Sequence, residues 1–138
     1  DDLNDLLDDI VHEFAHALHN QNLRRQIPRL PGGEKVRYGK GNSIGSLVDA
    51  KLKVLGAIHP TNDIKMAWGT AGAVGDLDPI GENISTYART CSTEFIAEST
   101  AIKVLEPDRW EQIKNTELGD GVVGAKTIGE LYDVLGGA

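Results

Sequence analysis

The feature that most constrains the fold is a helical period at the start of the chain. Apolar residues recur there at three- and four-residue spacing, which predicts a helix over residues 2–19. They form one stripe of Leu3, Leu6, Leu7, Ile10, Phe14 and Leu18. Such a stripe normally faces a protein core. At 100° per residue, His12 and His16 fall on the opposite side, where a pair of surface histidines is the simplest interpretation. The small and apolar residues of Val11–Leu18 favour instead a helix that packs into the protein.

Weaker patterns divide the rest of the chain. Helices are predicted over residues 47–55, 93–105 and 127–135, with Ser92 as the N-cap of the second. A short strand is predicted over residues 64–68. Stretches rich in proline or glycine predict loops over residues 28–45, 69–81 and 119–124. Because no repeat and no domain boundary is visible, residues 1–138 are expected to form a single domain.

Composition narrows the range of partners. The 138 residues are 40% hydrophobic, which suits a globular domain with its own core. A net charge of −7 argues against nucleic acid as a main partner, since phosphate binding needs clustered Lys and Arg. No run approaches the ~20 apolar residues that cross a bilayer. The chain begins at Asp1 without a methionine, so we expect a fragment or processed part of a larger protein with other domains.

The predicted first helix carries the motif H-E-x-x-H, from His12 through Glu13 to His16. Residues four apart lie one above the other on a helix, so two imidazoles at this spacing can bind one cation. Zinc accepts neutral imidazole nitrogen, and catalytic zinc sites leave one position to water. Glu13, next to a ligand, is placed to act as general base on metal-activated water. The motif therefore predicts one Zn²⁺ per chain.

The third ligand must come from elsewhere in the chain. The metzincin continuation fails, because His19 stands where that pattern needs Gly and Asn22 where it needs His; we expect His19 at the surface. Glu94 and Glu98 lie four residues apart on the helix predicted over residues 93–105. One can bind the metal while the other accepts the free N–H of a ligating histidine. A Cys91 thiolate in place of Glu94 is the alternative.

The segment around Glu94 matches a longer pattern. Residues 84–101 read ISTYARTCSTEFIAESTA and contain Y-x-R-T-x-x-x-E-F-x-A-E from Tyr87 to Glu98. Together with H-E-x-x-H, this segment resembles the anthrax lethal factor-like zinc peptidases, a gluzincin-type group. The resemblance implies that Glu94 is the metal ligand and that Glu98 supports a ligating histidine. It also implies that the Tyr87 hydroxyl faces the reaction centre, and we expect Arg89 to fix a nearby carboxylate.

The resemblance implies an α+β, zincin-like fold that is rich in helix. In that family an antiparallel sheet usually precedes the H-E-x-x-H helix, so the sheet is expected to be small or reduced here. The implied function is a zinc-dependent endopeptidase acting on a protein or peptide substrate. Similar domains occur in bacterial toxins and phage proteins, which makes a secreted toxin or a virion-associated protein plausible. The alternative is a non-catalytic, metal-stabilised structural or interaction domain, as a virion component or toxin accessory domain.

Overall fold

A computed structural model describes residues 2–36, 47–48, 50–51, 54, 78–122 and 125–137. The α-helices are α1 (Asp2–Gln26), α2 (Asp78–Asn83), α3 (Ser92–Leu105), α4 (Pro107–Ile113) and α5 (Ile128–Val134). Three 3₁₀ turns cover Ile27–Arg29, Gly33–Lys35 and Tyr87–Arg89. The strands β1 (Glu117–Val122) and β2 (Ala125–Thr127) pair antiparallel. The described residues thus confirm a helix-rich α+β protein with a small antiparallel sheet.

Helix α1 is longer than the sequence predicts, ending at Gln26 instead of residue 19. Asp2 and Asp5 in its first turn, with Arg24 and Arg25 in its last, complement the helix dipole. The helix ends before Pro28, whose ring lacks the N–H that a further α-helical turn requires.

The second half of the chain is a compact series of short elements. Helix α3 ends at Leu105, and α4 starts at Pro107, the first-turn position that proline favours. Helix α5 has an effective N-cap, because Thr127 Oγ1 accepts from the Glu130 N–H at 3.2 Å. The predicted helices at 93–105 and 127–135 are confirmed as α3 and α5. Cys91, one residue before the expected Ser92, occupies the N-cap position of α3.

The core lies between the second half of α1 and the elements α3 to α5. Leu23 and Ile27 of α1 are fully buried there. The largest buried side chains from the second half of the chain are Phe95, Ile96, Leu118, Ile128, Leu131, Tyr132 and Leu135. Leu47, Val48 and Ile80 join the same cluster. The five described residues between 47 and 54 are helical, as predicted.

The orientation expected for α1 is wrong. The apolar stripe faces solvent, with Ile10 56% and Phe14 64% exposed. The opposite face packs against α3, and Ala15, His19 and Leu23 on that face are buried. His19 is therefore a core residue, contrary to the expected surface position. These residues recur at four-residue spacing, but the polar His19 interrupts the apolar pattern by which a buried face is recognised.

His19 and Asn22 hold the end of the chain. The His19 ring contacts the Leu135 carbonyl oxygen at 2.6 Å from Nε2, and Asn22 Nδ2 donates to the Gly136 carbonyl oxygen at 3.2 Å. Gly136 has a φ of 96°, a left-handed conformation that a side chain would strain. The chain turns at this residue, and the carbonyl oxygens of Leu135 and Gly136 face α1.

Two predicted loops contain regular structure. Residues 78–81 belong to α2, although they fall in the stretch predicted as a loop over 69–81. Residues 119–122 belong to β1, although they fall in the predicted turn over 119–124. The predicted strand at 64–68 lies outside the described residues. None of the described helices is both long enough and apolar enough to span a bilayer.

Candidate metal centre

Helix α1 brings His12 and His16 together. Their ring centroids are 4.8 Å apart and nearly perpendicular, as the i, i+4 spacing requires. Both side chains are about three-quarters buried because α3 covers this face of α1. Between them Ala15 is buried, and its methyl group leaves room for α3 to approach. The paired imidazoles thus lie at a helix–helix contact and not on an open surface.

Helix α3 supplies a carboxylate to the same place. Glu94 lies in its first turn, where an acidic side chain is favoured by the helix dipole. Its Oε2 is 3.1 Å from His12 Nε2, and its Oε1 is 3.6 Å from His16 Nε2. One ligand atom from each of the three residues lies within 4.8 Å of the other two. The structure therefore assembles the three predicted ligands, and Cys91 does not belong to this group.

The donor atoms fit a cation. Glu94 Oε2 is buried and has no hydrogen-bond partner among the described residues, although His12 Nε2 is 3.1 Å away. When His12 carries its proton on Nδ1, its Nε2 lone pair faces the carboxylate oxygen. Two acceptors that face each other are unfavourable unless a positive charge lies between them. Two imidazole nitrogens and one carboxylate are a ligand set that zinc accepts.

Glu98 lies behind His12. Its Oε2 is 3.7 Å from His12 Nδ1, which favours the proton on that nitrogen. Ser85 Oγ donates to Glu98 Oε1 at 3.1 Å and accepts from the Ala88 N–H at 3.0 Å. A chain of contacts therefore runs from the backbone through Ser85 and Glu98 to His12. Sequence reasoning identified Glu98 and missed Ser85, because a serine outside any motif carries no signal of its role.

Tyr87 lies beside the group of ligands. It opens the 3₁₀ turn before α3, and its side chain is 55% exposed. The negative charge of Glu94, with smaller effects of desolvation and a hydrogen bond to Glu94, raises the pKa of the Tyr87 phenol above its usual value. The Thr90 hydroxyl donates to the Tyr87 carbonyl oxygen at 2.6 Å and fixes the turn. The phenol therefore stays protonated and can donate a hydrogen bond.

Glu13 and Arg89 do not belong to the group of candidate ligands. Glu13 follows His12 on α1 and is exposed, so its carboxylate is accessible to water and to a substrate. The Arg89 guanidinium pairs with Asp78 at the start of α2, with Nη2 and Oδ1 2.7 Å apart. The carboxylate that Arg89 fixes is thus that of Asp78. This ion pair joins α2 to the 3₁₀ turn that carries Tyr87.

A cavity of about 220 Å³ adjoins His12 on the side of Glu98. Asp8 and Asp9 line it from α1, and Glu98 and Glu106 line it from the other side. Arg109 also borders the cavity, where it pairs with Glu106 at 3.2 Å. The space beside the ligands is therefore negatively charged.

Comparison of the chain with protein-family models, with characterised proteins and with solved structures finds no match.

Proposed function

We propose that this protein is a zinc-dependent endopeptidase with a zincin-like fold. The observation that carries the proposal is the convergence of the H-E-x-x-H histidines and Glu94 within 4.8 Å, from helices far apart in the sequence. Zinc is the metal that two imidazoles and a carboxylate favour in hydrolases. The resemblance of residues 84–101 to the lethal factor-like peptidases supports the same assignment. A protein or peptide is the corresponding substrate.

The reaction needs a Lewis acid and a base. Zinc held by His12, His16 and Glu94 would polarise the scissile carbonyl and acidify the attacking water. Glu13 accepts the proton of that water and delivers it to the departing amine. The Tyr87 phenol donates a hydrogen bond to the carbonyl oxygen as negative charge develops on it. Glu98 holds the His12 ring in position.

The number of ligands supports a catalytic site over a structural one. Structural zinc is usually closed by four protein side chains, whereas catalytic zinc keeps a position for water or substrate. In the part of the chain that the structure describes, the group contains three ligand residues and no fourth. A metal-stabilised interaction domain remains the rival proposal. It predicts bound zinc without turnover.

The substitution Glu13→Gln separates the two proposals. It removes the basic carboxylate and leaves the three ligands intact, so zinc content and melting temperature should stay near those of the wild type. Cleavage of an unfolded protein and of a quenched-fluorescence peptide library should fall by about 10² or more. Glu117→Gln, at an exposed carboxylate on β1, is the matched control and should change nothing.

Two outcomes contradict the proposal. If the zinc-loaded wild type cleaves no member of the library, the interaction-domain proposal is favoured. If Glu13→Gln expels the zinc, Glu13 is a ligand and the proposed role of base is wrong.

A further inference from the structure

Helix α1 has a second face that the metal centre does not use. Leu6, Leu7, Ile10 and Phe14 lie on the side opposite His12 and are between 40% and 64% exposed. We call these four residues the apolar face of α1. They recur at three- and four-residue spacing, so they form a continuous row along the helix. A row of large exposed apolar side chains on a soluble protein marks an interaction site.

The apolar face is continuous with a groove. Leu7 lines a cavity of about 480 Å³ together with Leu105 at the end of α3. Leu105 is itself 38% exposed. Asp8 and Glu106 line it as well. A partner lying along α1 can therefore place an apolar side chain between the two helices, with carboxylates on either side of it.

The charged residues on the first half of α1 have one sign. The first half of α1 carries no Lys or Arg between residues 2 and 14. Its charged residues are Asp2, Asp5, Asp8, Asp9 and Glu13. Glu106 at the groove, which also pairs with Arg109, adds one carboxylate beside the apolar residues. Positive charge on the partner is therefore required for complementarity.

This charge excludes two other occupants. A second copy that matched the apolar residues of both helices would bring the two acidic sets together without a countercharge, and like charges at an interface cost binding energy. Sliding the two helices so that the acidic half of one meets Arg24 and Arg25 of the other would remove most of the apolar overlap. An anionic membrane would be repelled by the same carboxylates.

We infer that the apolar face of α1 and its groove bind a basic amphipathic helix of a protein partner. Its apolar side chains, at helical spacing, pack on Leu6, Leu7, Ile10 and Phe14, and one enters the groove beside Leu105. Its Lys and Arg side chains pair with the carboxylates of α1 and Glu106. This is the helix-in-groove mode of recognition. It is independent of zinc, because the surface lies on the face of α1 opposite the ligands.

The test uses a synthetic helical peptide about five turns long, made of Leu at helical spacing and Lys elsewhere. Its binding to the purified protein is followed by fluorescence anisotropy. The double variant Ile10→Gln, Phe14→Gln should weaken binding about tenfold or more, since each substitution removes apolar contact area. Val104→Gln is the matched control, because Val104 is 58% exposed but lines neither cavity beside α1. It should leave the affinity unchanged.

A second peptide tests the charge. With Glu in place of Lys, the same sequence should bind at least tenfold more weakly, and raising the salt concentration should weaken binding of the Lys peptide. The inference is overturned if the Glu peptide binds as well as the Lys peptide, or if the double variant binds as tightly as the wild type. It is also overturned if sedimentation shows a wild-type dimer that the double variant dissociates, because the occupant would then be a second copy. Circular dichroism should show unchanged helix content in the double variant, since both substitutions are at exposed sites.

Discussion

Glu94 and Glu98 are identical side chains on one helix that face different atoms of the histidines. Glu94 faces the Nε2 atoms of both histidines, whereas Glu98 reaches only Nδ1 of His12. In the proposed zinc site, a carboxylate on the metal side contributes a ligand. A carboxylate on the far side of the ring fixes its orientation and tautomer. Because they are one turn apart on α3, the two carboxylates lie near different nitrogen atoms of the His12 ring.

Substitution of each glutamate should separate these roles. Glu94→Ala should abolish zinc binding, because it removes a ligand, while Glu98→Ala should weaken zinc affinity by about 10–100-fold. Affinity is measured by competition with a chromophoric chelator, with Glu111→Ala, at an exposed residue of α4, as control. A larger loss in Glu98→Ala than in Glu94→Ala would show that the two roles are exchanged.

Residues in the site differ in how far sequence predicts them. The His12–His16 pair follows from helix geometry alone, because i and i+4 are neighbours on any helix. Glu94 and Glu98 could not be ordered by spacing, and the resemblance of their segment supplied the order. Ser85 reaches Glu98 only through tertiary packing. No local pattern encodes such a contact.

Helix α1 has two faces that compete for the core. One is strongly apolar, and the other combines Ala15, His19 and Leu23. The second is buried because α3 supplies partners that match it, with Glu94 and Glu98 opposite the histidines, while α5 leads into the Leu135 carbonyl that meets His19. Hydrophobic periodicity alone therefore predicts the wrong face of α1 to be buried. The orientation of α1 depends on buried polar residues that have specific partners. Hydrophobic periodicity does not detect such partners.

His19 should make stability depend on pH. Burial lowers the pKa of His19 to about 4. Between about pH 6.5 and 4, the unfolded chain therefore binds a proton at His19 that the folded protein does not bind. The free energy of unfolding should therefore fall by about 3 kcal/mol as the pH drops through this range. Urea unfolding of metal-free protein measures it. In His19→Gln the dependence should be smaller by that amount, and equal pH profiles would contradict the assigned environment.

Across the whole molecule, the candidate metal centre connects two elements that are distant in sequence. The pair α1 and α3 forms the most extensive helix contact among the described elements, and the ligands lie within it. Helices α3 and α5 were predicted because their apolar residues follow the helical period. The β1–β2 hairpin was missed, because Gly119 and Gly121 disfavour a strand and pairing with β2 stabilises it.

Zinc should therefore stabilise the whole fold. A ligand that binds only the folded state at 100 times its dissociation constant adds about 2.7 kcal/mol, which raises the melting temperature of a domain this size by roughly 10 °C. Differential scanning calorimetry with and without chelator measures the shift. His16→Ala should show no shift. An equal shift in that variant would place the metal elsewhere.

Because α1 contacts the end of the chain, these contacts can form only late in the synthesis of the protein. The His19 contact can form only after Leu135 has been synthesised, 116 residues later. The Asn22 contact can form only after Gly136 has been synthesised, 114 residues later. At ~5–20 residues per second, a ribosome needs roughly ten seconds to make that stretch. Until α3 and the end of the chain have been synthesised, the face of α1 that carries its histidines has no partner to pack against. The three residues of the candidate metal centre can therefore meet only after α3 has been synthesised.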